Sequence, residues 1–221
     1  MQAELQETQF LNFSEPSVAA FTDRNSDAAA TPRERAVSLY FAVRDQIRYD
    51  PYIIDLSVEG LRASTVLATQ RGWCVSKAVL LGAACRAAGI PARLGYADVK
   101  NHLSTERMRR EMGTDEFYWH GYTDILLDGR WVKATPAFNI ELCEKFRIKP
   151  LDFDGTEDSI YHPFDLDGRE HMEYLAYRGD FDDVPLAAIQ KTFKDRYPAV
   201  MAGNDEGDFD ADVERETQEQ S

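Results

Sequence analysis

The chain has 221 residues, 43% hydrophobic and 11% aromatic, enough to bury a sizeable core in one large domain or two small ones. Its 39 acidic against 25 basic residues leave a net charge of −14, and no stretch gathers the basic residues that neutralising phosphates requires, which argues against nucleic acid. No run of about eighteen apolar residues exists, so no membrane association is expected; the polar, acidic start Met1 to Thr8 is no secretory signal, and the expected compartment is the cytoplasm.

In chain order, Gln9 to Phe13 predicts a short strand and Asn25 to Ala30 a loose connection. Thr31-Pro32-Arg33-Glu34 is a capping box with proline at the first helical position, and Val37, Tyr40, Phe41 and Ile47 continue an apolar face, so a helix runs to about Arg48. Arg62 to Thr69 predicts a short helix, with Ser64 as its cap. It delivers the chain to Gln70-Arg71-Gly72-Trp73-Cys74, a glycine turn that breaks into an apolar helix over Val75 to Ala88, closed by Gly89 and Pro91. Val75, Ala78, Val79, Gly82 and Ala83 form a stripe at helical spacing.

Ala92 to Val99 alternates as a strand. Asn101 to Glu116 is charged and loop-like, with a helical turn at Glu106 to Met112. His120 to Leu127 and Arg130 to Thr135 flank Asp128-Gly129, a strong hairpin signal. Helices followed by an antiparallel sheet make the fold class α+β. Beyond Cys143 come turns at Lys149-Pro150, Asp154-Gly155 and Asp167-Gly168, then a helix over Leu186 to Tyr197. The reading is one domain over 1–202, with a core at 31–139 and an extension at 140–202. Residues 203–221 carry eight acids against Arg215 alone, and are expected to be a disordered acidic tail.

Cys74, Cys85 and Cys143 are too few for a disulfide scaffold. Cys74 and Cys85 lie on one helix, eleven residues and roughly 16 Å apart at about 1.5 Å per residue, too far to bridge. Cys74 stands apart because the first turn of a helix has unpaired N–H groups and a positive dipole end, which favour a thiolate. It is a candidate nucleophile.

A thiol nucleophile needs a base, and the chain offers His102, His120, His162 and His171. Only His120 is placed by strong local structure. The two-residue turn pairs Tyr122 with Thr135 and sets His120 opposite Ala137, so these four share one face. Thr135, on the diagonal, or Asn139 could orient the imidazole by accepting its second N–H. His102 fits an exposed loop. No His/Cys spacing matches a metal site, so neither metal nor cofactor is expected.

These motifs, in this order, resemble the transglutaminase-like superfamily of papain-type folds. The resemblance covers Thr31 to about Asn139: an aromatic-Asp pair after the first helix (Tyr49-Asp50), Gly-x-Cys (Gly72 to Cys74), Ala-Ala-Gly-Ile-Pro-Ala-Arg (Ala87 to Arg93), His-x-aromatic-x-acid (His120, Tyr122, Asp124) and Asp-Gly-x-Trp (Asp128 to Trp131). It implies a papain/transglutaminase-like core, with the nucleophile helix packed on an antiparallel sheet and a Cys-His-Asp triad in which Cys74 is the nucleophile and His120 the base. The chain departs from the family at the third member, where Thr135-Pro136 stands for Asp-Pro. A threonine can accept a hydrogen bond but cannot offset an imidazolium charge. Tyr122 replaces the usual tryptophan. Trp73 is expected to wall the acyl site, and Gln70 with the Cys74 N–H to stabilise an oxyanion. The expected activity is thiol-dependent hydrolysis or acyl transfer on an amide or peptide substrate; the alternative is a non-catalytic binding module with a degenerate triad.

Overall fold

The computed structural model describes residues 2–102, 104–161, 164–202 and 207–218. Its first half is helical: α1 (Pro16–Asn25), α2 (Pro32–Gln46) and α3 (Ala63–Thr69) precede the cysteine helix α4 (Cys74–Ala87). The Thr31 hydroxyl and the Glu34 carboxylate cap α2 reciprocally, as the capping box predicts. Residues 9–13 are not a strand. Phe10 and Leu11 are buried without ladder partners, and Asn12 instead exchanges hydrogen bonds with Ser64 at the start of α3, so Ser64 is held by Asn12 rather than capping the helix itself.

A two-residue parallel pair, β1 (Arg48–Tyr49) with β2 (Arg71–Gly72), ties the end of α2 to the turn before Cys74. The main sheet is antiparallel and holds β3 (Ala92–Asn101), β4 (Glu116–Leu127), β5 (Arg130–Ala134) and β6 (Met172–Phe181) in the order β5-β4-β3-β6. The hairpin follows its turn: Leu127 faces Arg130 and Thr123 faces Ala134. There the ladder stops. Ala134 bridges to Ser159, and the Thr135 N–H goes to the Ser159 carbonyl (3.2 Å), so Tyr122 and Thr135 do not pair.

α4 is not a one-striped helix. Every residue from Cys74 to Arg86 is buried, because α1, α2 and α3 pack on it from one side and β3 and β4 from the other. Even Lys77 lies inside, its ammonium capping α2 by donating to the carbonyls of Arg44 (3.0 Å) and Ile47 (2.5 Å). Burial pushes Lys77 well below the usual lysine range, against the pull of Asp45.

The remaining elements are α5 (Glu106–Met112), capped by Thr105, α6 (Ile140–Phe146), α7 (Leu186–Arg196), which packs on β4, α8 (Pro198–Met201), which packs on α5, and α9 (Phe209–Gln218), which packs on α6. Within the segment 203–221 expected to be a disordered tail, Phe209–Gln218 form α9, while 203–206 and 219–221 lie outside the described residues. Composition alone misses that Phe209 and Val213, four apart, give this acidic segment one apolar stripe, and both are buried. No helix among the described residues is long and apolar enough to cross a membrane.

Candidate active site

Cys74 is the first residue of α4, and its position is set locally. The Ser76 hydroxyl accepts from the Trp73 N–H (3.0 Å) and donates to the Trp73 carbonyl (3.2 Å), stitching the turn before the thiol. A Cβ at Gly72 would stand 2.7 Å from the Ser76 oxygen, so only glycine leaves room for that stitch. Across from it, β4 presses on the helix start: a Cβ at Gly121 would sit 2.9 Å from the Val75 Cα. His120 precedes Gly121, and the close approach brings His120 and Cys74 to one site.

His120 owes its aim to a bulge. Ala97 faces His120 but Val99 faces Phe117, so Tyr118 and Trp119 together oppose Asp98. Trp119 takes a left-handed conformation (φ 64°), and the buried Asp98 carboxylate holds it by accepting its N–H (3.1 Å) while Arg178 pairs with the same oxygen (2.6 Å). Phe117 and His120 are three residues apart yet share a face, since their partners Val99 and Ala97 do.

Cys74 and His120 line one pocket. Its walls are mainly apolar: Tyr49, Trp73, Phe117, Phe138 and Phe193 with Met108, Met112 and Met172. Trp73 lines it, its ring edge-on to Phe193. The two reactive groups are 7% and 6% exposed and are not hydrogen-bonded to each other. Burial pushes the Cys74 thiol up to about 11, partly offset by the backbone N–H groups of Gly121, Val75 and Cys74 itself. Burial likewise holds His120 down at about 4, helped by nearby His171. The helix start does favour the thiolate, but desolvation outweighs it, so the resting pair is thiol and neutral imidazole rather than an ion pair.

The proposed orienters are placed differently from the sequence expectation. Thr135 is buried, but its hydroxyl makes no hydrogen bond, because the chain has left the β5 ladder and its backbone is committed to Ser159 and Tyr40. The Asn139 amide oxygen is committed to the Tyr49 N–H (3.1 Å). His120 Nε2 is buried without a partner. Beside the ring lies Tyr161 (centroids 5.9 Å), whose hydroxyl is taken by the Phe138 N–H (3.0 Å). Among the described residues, no carboxylate is hydrogen-bonded to His120 Nε2.

Gln70 is exposed in a left-handed turn at the end of α3 and lies outside the cavity; the N–H groups of Gly121 and Val75, which sequence reasoning missed, are nearer the sulfur. Tyr122 is two residues beyond His120, and its ring lies across Gly95 with its hydroxyl on Asp180 (3.3 Å), also outside the cavity. Asp124 pairs with Arg93 (2.8 Å) and braces the sheet. His102 is half-buried at the surface near Glu170 (3.6 Å), and His162 lies outside the described residues. Among the described residues no group of three or more His, Cys, Asp and Glu is arranged to hold a metal.

A family model described as the transglutaminase-like superfamily matches residues 19–136. No curated protein matches. Two solved structures are similar in fold. One, from Cytophaga hutchinsonii, is called a "Putative Cysteine Protease" (13% identity, 79% of this chain and 62% of that one, TM-score 0.48). The other, from Parabacteroides distasonis, is called a "Putative Protease" (19% identity, 60% and 24%, TM-score 0.40). The chain spans less than two thirds of the length of either.

Proposed function

Because the chain belongs to the transglutaminase-like superfamily, we propose that it is a thiol enzyme acting on amide or peptide bonds, with Cys74 as nucleophile and His120 as base. The observation that carries this reading is a thiol at a helix start and an imidazole opening on one cavity, with backbone N–H groups of two elements turned to the sulfur. In the reaction the Cys74 sulfur attacks the carbonyl carbon as its proton passes to His120. The N–H groups near the sulfur face the developing oxyanion. His120 then gives that proton to the nitrogen, the C–N bond breaks and an amine leaves. Water, or an amine, attacks the thioester with His120 as base, and the thiol returns.

Since both groups rest neutral, proton transfer accompanies attack instead of preceding it. Alkylation tests the pair: because the thiol rests protonated, iodoacetamide at neutral pH should modify Cys74 more slowly than free cysteine, with His120 taking up the proton as the sulfur attacks, and His120→Ala should slow it further. A rate unchanged in the variant would favour the second reading, a binding module that keeps the fold. The feature on that side is the unpartnered His120 Nε2, with the Thr135 hydroxyl unbonded and the Asn139 oxygen committed to Tyr49.

A further inference from the structure

The helix α9 lies face-down on an aromatic shelf. The Phe209 ring stands edge-on to Tyr49 (5.9 Å, 72°) and to Tyr52 (5.3 Å, 78°), and Phe209 and Val213 are buried. Its acids meet cations from three separate stretches: Asp210 pairs with Arg48 (2.5 Å), Asp212 with Arg107 (3.1 Å) and Glu214 with Lys145 (2.8 Å). Asp212 also accepts from the Tyr52 hydroxyl (2.9 Å), and Glu216 from the Glu106 N–H at the start of α5 (3.0 Å). An acidic helix with one aromatic anchor thus fits a basic surface with an aromatic floor. The exposed ion pairs are individually weak and screened by salt, so this is a contact that can open.

What lies beneath gives the contact its meaning. The hollow beside Phe209 shares Tyr49, Pro51, Asn101, Met108, Phe117 and Phe138 with the cavity that holds Cys74 and His120. The two adjoin along this shared wall, with Cys74 at one end and Phe209 at the other.

We infer that the shelf under α9 is the outer part of the substrate cleft, that it takes an acidic peptide segment anchored by an aromatic side chain, and that α9 occupies it in cis. The inference rests on the proposed function for the word substrate, and on the shared wall and matched charges for the rest. A peptide of that chemistry competes with α9 for Arg48, Arg107, Lys145 and the Tyr49–Tyr52 floor. Its seating displaces the helix and lays the aromatic residue toward the thiol.

The test uses the full chain carrying Phe209→Ala, Asp210→Lys and Glu214→Lys, checked for folding by circular dichroism. Hydrogen exchange over residues 207–218 reads docking, and mass-mapped iodoacetamide labelling reads access to Cys74. The expected result is faster exchange in the helix together with labelling of Cys74 faster by about fivefold or more. A synthetic peptide of residues 207–218 should then restore slow labelling, and the same peptide with the three substitutions should not. Release of the helix with unchanged labelling would overturn the inference. So would failure of the peptide to protect, or exchange that does not change. Should the variant misfold, the wild-type chain decides: raising ionic strength from about 0.05 to about 0.5 M should speed α9 exchange and Cys74 labelling together, and labelling that stays flat overturns the claim. The same ratio read in His120→Ala separates the two ideas, since access is lost or gained there whether or not His120 activates the thiol.

Discussion

His120 carries a cost that can be read as pH dependence. Burial keeps its imidazole neutral down to about 4, against an ordinary value of 6.5. Below 6.5 the unfolded chain takes up a proton that the folded one refuses, so the stability present above 6.5 drains away as pH falls toward 4. The window is worth roughly 3 kcal/mol at its full width. In urea titrations the wild type should therefore lose more stability between pH 6.5 and 4 than His120→Leu does, whereas parallel curves would mean that His120 is not held neutral. The placing of Thr135 could not be found by counting along the chain. Thr135 sits where the family has its acid, but its backbone N–H is committed to the Ser159 carbonyl, a hydrogen bond between residues 24 apart.

At the scale of elements, the site depends on how closely β4 meets the start of α4. A methyl group at Gly121 would have to push Val75 away, so Gly121→Ala should cost about 1–3 kcal/mol and also slow Cys74 labelling by withdrawing the Gly121 N–H from the sulfur. Chemical denaturation and labelling of the folded variant measure the two effects, and a loss of stability with unchanged labelling would reduce Gly121 to a packing residue. Elements specified by neighbours in sequence were legible beforehand: the capping box of α2, the start of α4, the hairpin register, and with them Cys74, His120 and Trp73. Those that need distant partners were not. β6 is recognised as a strand only once β3 offers an edge to it, and α1 and α6 lie in mixed stretches whose apolar residues matter after docking. The bulge at Trp119 breaks the period of two on which strand reading rests, so Phe117 could not be assigned to the cavity. Tyr122 was legible as a sheet residue, but not as one packed on Gly95 and Asp180.

For the molecule as a whole, the last nineteen residues hold half of the net charge of −14, and composition reads them as solvated. The structure returns part of that charge to the body through Arg48, Arg107 and Lys145, which would otherwise form a cationic patch on an acidic protein. Helices and sheet share one core, and α4 is its axis, carrying the thiol at one end. Cys85 sits deeper on that same helix with no exposure, and Cys143 on α6 has 1%. Burial raises both to about 12, which leaves them inert while the fold is closed. The chain thus contains a depth gauge in its own thiols: Cys74 registers local opening of the cleft, whereas Cys85 registers the loss of the core. Under rising urea, Cys74 should become modifiable well before the cooperative transition and Cys85 only with it. The interval between the two curves is then a direct reading of how much looser the active face is than the helix that supports it.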